Sequence, residues 1–83
     1  MASKLIVGNW KMNCLLKESL DLTKNILKKL KNCPNEVVLC PPFPLLVPIY
    51  DTIKESRLTL GAQDCHDQHA GAYTGDVSPV LLK

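Results

Sequence analysis

Three short apolar runs, each followed by a stretch of helical length or by a polar loop, constrain this chain more than anything else in it. The runs lie at residues 4–8, where Leu5, Ile6 and Val7 stand between Lys4 and Gly8; at 36–40, where Val37, Val38 and Leu39 stand between Glu36 and Cys40; and at 58–62, where Leu58 and Leu60 alternate with Thr59 and Gly61. Such runs read as buried strands of a parallel sheet. Between the first two, Leu16, Leu20, Ile26, Leu27 and Leu30 fall mostly at three- and four-residue spacing. Lys17, Glu18, Lys24, Lys28 and Lys31 lie largely on the other side, so residues 16–31 have the pattern of an amphipathic helix. Its closing lysines complement the negative pole of the helix dipole, and Asn32 with Pro34 forbids much continuation. Pro41 and Pro42 end the second strand, because neither can donate to a ladder.

Residues 45–55 supply a second helix, its regular part starting near position 47 or 48, since a proline such as Pro48 costs little in a first turn. Residues 63–77 form a long polar connection, and Ser78 with Pro79 marks a third helix start, Ser as N-cap and Pro at the first helical position. The alternation predicts an α/β fold of right-handed βαβ units around a parallel sheet. Periodicity alone does not separate an open doubly wound sheet from part of a barrel.

With 83 residues, the chain holds one small domain or a piece of one. Its 46% hydrophobic and 22% charged residues exclude a disordered composition. Net charge is +2, and the lysines are concentrated between Lys17 and Lys31 rather than interleaved with Trp10, Phe43, Tyr50 and Tyr73, which argues against a nucleic-acid partner. The opening Met-Ala-Ser-Lys leads into no apolar run of about 7–15 residues and nothing near the ~18 that span a membrane. The expectation is a cytosolic chain with no membrane partner. Cys14, Cys33, Cys40 and Cys65, none in a CxxC pair, are then expected to be reduced and to behave as small buried apolar residues.

Chemistry in parallel α/β folds collects where strands give way to the following loops: here Asn9 and Lys11, residues 41–43, and residues 63–76. The first loop carries neither the GxGxxG of a dinucleotide fold nor the GxxxxGK[ST] of a P-loop. Asn9 offers donor and acceptor and Lys11 a cation. A two-residue spacing in extended backbone would put both on one side, as a grip for a small anionic substrate. The plainer alternative, Asn9 as a turn residue and Lys11 as a solvated lysine, stays open on composition alone. Cys65, His66 and His69 make a C-H-x-x-H cluster, but a closed zinc site needs four ligands and typically two spaced pairs. They read as surface-loop residues, and no metal is expected.

The run Lys4-Leu5-Ile6-Val7-Gly8-Asn9-Trp10-Lys11-Met12-Asn13 resembles the first strand and loop of the triosephosphate isomerase family, to which Gly-Asn-Trp-Lys-Met-Asn is highly specific. Cys40-Pro41-Pro42-Phe43 resembles the end of that family's second strand. Gly61-Ala62-Gln63-Asp64 and Gly71-Ala72-Tyr73-Thr74-Gly75-Asp76-Val77-Ser78 are similar to its third strand and the long loop after it.

The resemblance spans essentially the whole chain. It implies that residues 1–83 are one partial domain, the first three strand-helix units of a (β/α)8 barrel that runs to about 250 residues. The implied reaction interconverts dihydroxyacetone phosphate and D-glyceraldehyde 3-phosphate, in glycolysis and gluconeogenesis, by proton transfer alpha to a carbonyl through an enediolate. No metal or organic cofactor is implied. Asn9 and Lys11 match the family's substrate-binding pair. Its base glutamate and its neutral electrophilic histidine are expected beyond Lys83, so the chain alone is expected to be inactive, and the family's site is one over which a mobile loop closes. His66 and His69 do not take the histidine's place.

The resemblance also implies a homodimer in which Gln63, Tyr73, Thr74, Gly75 and Asp76 contact the other subunit, Thr74 reaching toward the partner's asparagine and lysine. Asp76 stands where the family commonly has a glutamate, one methylene longer, reaching an arginine beyond this chain. The rival reading is a non-enzymatic βαβ fragment acting as a structural or phosphate-binding module.

Overall fold

The computed structural model describes residues 4–83; residues 1–3, read above as leading into the first strand, lie outside the described residues. The elements in order are β1 (Leu5–Asn9), α1 (Leu16–Lys29), β2 (Glu36–Cys40), a 3-10 turn (Phe43–Leu45) running directly into α2 (Leu46–Ile53), β3 (Thr59–Leu60) and α3 (Pro79–Leu82). The strands form one parallel sheet in the order β1-β2-β3. Leu5 stands level with Glu36 and Asn9 with Cys40, while Val38 and Leu39 pair with Thr59 and Leu60. This register brings the ends of all three strands, and so the starts of the three following loops, to one edge of the sheet.

The core lies between β2 and α2. Val37 and Leu39 point from β2 into a buried cluster with Leu45, Ile49 and Ile53, and Trp10, Ile26, Leu27, Leu30, Leu58 and Leu60 pack around it. The 3-10 turn starts α2 earlier than positions 47–48. Pro48 still falls within the first turn, where its missing N–H has no helical partner to lose. β3 is shorter than residues 58–62, but the Gly61 N–H extends the ladder by donating to the Leu39 carbonyl at 2.9 Å. Glycine is needed there, because a Cβ would stand 2.9 Å from the Cys40 sulfur and 3.2 Å from Val38.

α1 stops at Lys29 and turns the expected stripe inward through Ile26, Leu27 and Leu30, but the middle of that face is taken by two small polar residues. Ser19 and Thr23 are fully buried whereas Leu16 is 52% exposed. The small side chains let α1 lie close to α2. Their hydroxyls donate to the Leu16 and Ser19 carbonyls, both at 2.7 Å, so their burial leaves no polar atom unpaired.

Two further expectations are corrected. β1 is not buried: Leu5, Ile6 and Val7 are 62%, 46% and 53% exposed, because β1 pairs only with β2 and no layer covers it among the described residues. Nor are all the cysteines buried. Cys14, Cys33 and Cys40 are half-buried, and Cys65 is exposed on the long loop, away from any apolar layer. The Cα radius of gyration, 14.0 Å, exceeds the roughly 12 Å of a compact domain of this length, in keeping with an uncovered sheet edge and an outlying loop.

Candidate functional site

At the carboxyl edge of the sheet the β1 strand ends at Asn9, and the next residues are fixed by hydrogen bonds and by the packing of Trp10. The Trp10 N–H donates to the Cys40 carbonyl at 3.1 Å, holding the loop onto β2. Trp10 itself packs against the core cluster, which leaves Asn9 and Lys11 exposed on the loop. The expected extended path does not continue through Lys11, whose φ is +56°. Left-handed backbone of this kind costs a non-glycine residue about 1–2 kcal/mol. It is held from two sides. The Asn9 Oδ1 accepts the Lys11 N–H at 2.8 Å, an Asx turn, and the Gln63 Nε2 donates to the Lys11 carbonyl at 2.8 Å. The same Gln63 nitrogen donates to the Cys40 carbonyl, also at 2.8 Å. Asn13 closes the loop with an Nδ2–H donated to the Trp10 carbonyl at 3.0 Å.

This arrangement has a chemical direction. With the Asn9 oxygen committed inside the turn, Nδ2 is the group left to meet a ligand, and Lys11 on the same turn supplies a cation. A donor pair with no neighbouring carboxylate on its own loop suits an anion or a polarised oxygen. Asn9 is thus a turn residue, as the plainer reading had it, and a donor as well.

The long loop after β3 is built differently. Its base is closed by the His66 N–H donating to the Val77 carbonyl at 2.8 Å, and its interior is organised around the His66 ring. That ring stacks on Tyr73 with centroids 4.2 Å apart, and its Nδ1 accepts the Gln68 N–H at 3.0 Å. Because Nδ1 is an acceptor there, its 3.3 Å approach to the Asp67 carboxylate is not a hydrogen bond in the same tautomer; the backbone donor fixes the choice. Nε2 then carries the proton and points toward Asp76, 3.8 Å away. Gly71, at φ +141°, cannot be replaced without strain, since a Cβ would lie 2.7 Å from the Tyr73 ring. The tip is a turn in which the Asp76 N–H donates to the Tyr73 carbonyl at 3.0 Å, and Thr74 and Gly75 are exposed.

Of the residues singled out in the sequence, Asn9, Lys11 and Gln63 are brought together. Tyr73, Thr74, Gly75 and Asp76 share the far part of the long loop. Tyr73 lies on His66 instead of standing free. His66 was legible only as a loop histidine; its organising role depends on contacts with residues up to eleven positions away. Among the described residues no three His, Cys, Asp or Glu side chains gather in metal-holding geometry, and no helix is long and apolar enough to cross a membrane.

A parallel α/β chain with anion-suited donors at the carboxyl edge of its sheet belongs to the class in which the strand-end loops handle small ligands. More narrowly, the chain belongs to the triosephosphate isomerase family, whose sequence profile matches residues 4–83. It is 48% identical over 81 residues to the triosephosphate isomerase of Gluconacetobacter diazotrophicus, covering 95% of this chain and 33% of that one. It is 39% identical over 83 residues to that of Clostridium botulinum, covering 100% of this chain and 34% of the relative. The crystal structure of the Bartonella henselae triosephosphate isomerase superposes with a TM-score of 0.85 at 37% identity, over 94% of this chain and 32% of that structure. The chain thus spans about a third of the length of the curated relatives it matches.

Proposed function

We propose that this chain forms the first three strand-helix units, a single partial domain, of a (β/α)8 barrel that interconverts dihydroxyacetone phosphate and D-glyceraldehyde 3-phosphate in cytoplasmic glycolysis and gluconeogenesis. The observation that carries the reading is the turn of Asn9 and Lys11 at the carboxyl edge of the sheet, in a chain whose family is settled. In this role Lys11 neutralises the substrate's phosphate and developing charge, and Asn9 Nδ2 orients one of its oxygens. The base and the electrophile come from the rest of the barrel.

Lys11 is exposed in this chain. An ion pair at about 4 Å is worth about 1 kcal/mol in water and about 4 kcal/mol at an effective dielectric near 20, so the grip gains strength only where further structure excludes water. The exposed Leu5, Ile6 and Val7 of β1 and Val47 and Tyr50 of α2 offer apolar surface for that further structure. A second subunit supplies the remaining cover: the loop of residues 63–76 is an arm, with Thr74 at its exposed tip directed at the partner's substrate-binding pair and Gln63, Tyr73, Gly75 and Asp76 contributing to the contact. Connections of this length in compact domains are usually functional.

The test is an exchange in which residues 4–83 replace the matching third of the Gluconacetobacter diazotrophicus enzyme. The chimera should turn over glyceraldehyde 3-phosphate, while the purified 83-residue chain shows only the background rate. A folded chimera without turnover would sink the proposal. It would leave the phosphate-binding module as the surviving reading, checked by titration with inorganic phosphate.

A further inference from the structure

Resting on that functional reading and going beyond the dimer contact assigned to it, we infer that Gln63 is a positioning residue that sets the backbone of Lys11. One side-chain amide ties three loops together. Gln63 follows β3, and both N–H groups of its Nε2 are used, one on the Lys11 carbonyl and one on the Cys40 carbonyl, each at 2.8 Å. The Cys40 carbonyl also accepts the Trp10 N–H at 3.1 Å. Gln63 thus fixes the carbonyl side of the lysine residue against the end of the central strand. Lys11 needs such a hold, because its φ of +56° is a conformation that a lysine leaves when unrestrained. Asn9 restrains the N–H side of that residue and Gln63 its carbonyl side. A lysine has four rotatable side-chain bonds, and the backbone sets where that side chain starts and in which direction it leaves, and so which region its ammonium reaches. Gln63 never needs to touch the substrate to do this, and its contribution lies within one chain whatever it also does across a subunit contact.

In the folded, active chimera, Gln63→Met keeps the length and volume of the side chain and removes both donors. The expected result is a fall in kcat/KM of about tenfold, with KM and the dissociation constant for inorganic phosphate rising together. The double variant Lys11→Met, Gln63→Met should be no worse than Lys11→Met within about twofold, since a positioning residue has nothing left to position. Measurements are made at protein concentrations where sedimentation shows the variant dimeric. Phosphate affinity and KM unchanged within about twofold in that dimer would overturn the inference. So would independent, multiplicative losses in the double variant, or a defect fully recovered by raising protein concentration, which would confine Gln63 to the subunit contact. If Gln63→Met does not fold, Gln63→Asn replaces it; its amide falls a methylene short of both carbonyls, and the same readouts decide. Should Lys11→Met itself change neither KM nor phosphate affinity, the functional reading fails, a result separable from failure of the strut alone.

Discussion

The two loops that matter in this chain are held by opposite means. The loop after β1 is short and tied to its neighbours: Trp10 donates to Cys40, and Gln63 reaches across from just beyond β3 to the Lys11 and Cys40 carbonyls. Beyond Gln63, the loop after β3 is long and tied to itself, through the His66–Val77 closure, the stacked His66 and Tyr73 rings and the turn at its tip. The first holds the backbone of its lysine in one conformation because neighbouring strands and loops tie it. The second can keep a shape while standing away from the sheet. A substrate grip needs the former, and an arm toward another molecule needs the latter.

Changes that strike the first loop should therefore reach chemistry directly, and the largest is Lys11→Met. In the chimera it should lower turnover or specificity at least 10²-fold, the scale of losing a preorganised electrostatic group. Lys4→Met, at the other end of β1, should cost little in the same assay. Equal small effects of the two would return Lys11 to the solvated surface. Thr74→Arg comes next. If residues 63–76 form the proposed arm, this substitution sets a bulky charge where the contact would desolvate a small polar group, so the dimer dissociation constant should rise roughly 10²-fold. Activity should fall with it across a dilution series followed by sedimentation. A variant that stays dimeric and active at wild-type concentrations would break the idea of an arm. Gly71→Ala should cost about 2 kcal/mol through its φ of +141° and the encroachment on Tyr73, visible as a fall of about 4–8 °C in the melting temperature of a barrel-sized protein.

Much of the scaffold could be read from the sequence because its signals are local. The β2 span, the Ser78 N-cap, whose hydroxyl accepts the Leu81 N–H at 3.2 Å, and the alternation of strands and helices all rest on runs of neighbouring residues. Asn9 and Lys11 were legible as candidates for the same reason. What escaped depends on contacts between distant residues. The burial of Ser19 and Thr23 in the middle of the inward stripe of α1 follows from what that face packs against, and a hydrophobic count ranks leucine above serine regardless of what lies opposite. The left-handed turn at Lys11 is imposed partly from residue 63, and nothing in a Trp-Lys-Met stretch favours it. The exposure of β1 follows from which strands flank it, whereas its composition is that of a buried strand.

The smallest predicted effect tests whether the long loop is as self-contained as its hydrogen bonds make it. His66→Phe keeps a ring of similar width to stack on Tyr73 and removes the Nδ1 acceptor of the Gln68 N–H and the Nε2 proton facing Asp76. A neutral hydrogen bond contributes about 1 kcal/mol net, so local opening of the loop should become about fivefold more frequent. The direct measurement is amide hydrogen exchange at Gln68, which should quicken by that factor. Amides of the first loop, held from β2 and β3, should keep their protection. Because His66 lies neither at the arm's tip nor among the donors at the sheet edge, kcat/KM of the chimera should stay within about twofold of the parent. If protection at Trp10 and Lys11 fell in step with that at Gln68, the two loops would form one cooperative unit, and the contrast between a loop held by its neighbours and a loop held by itself would be lost.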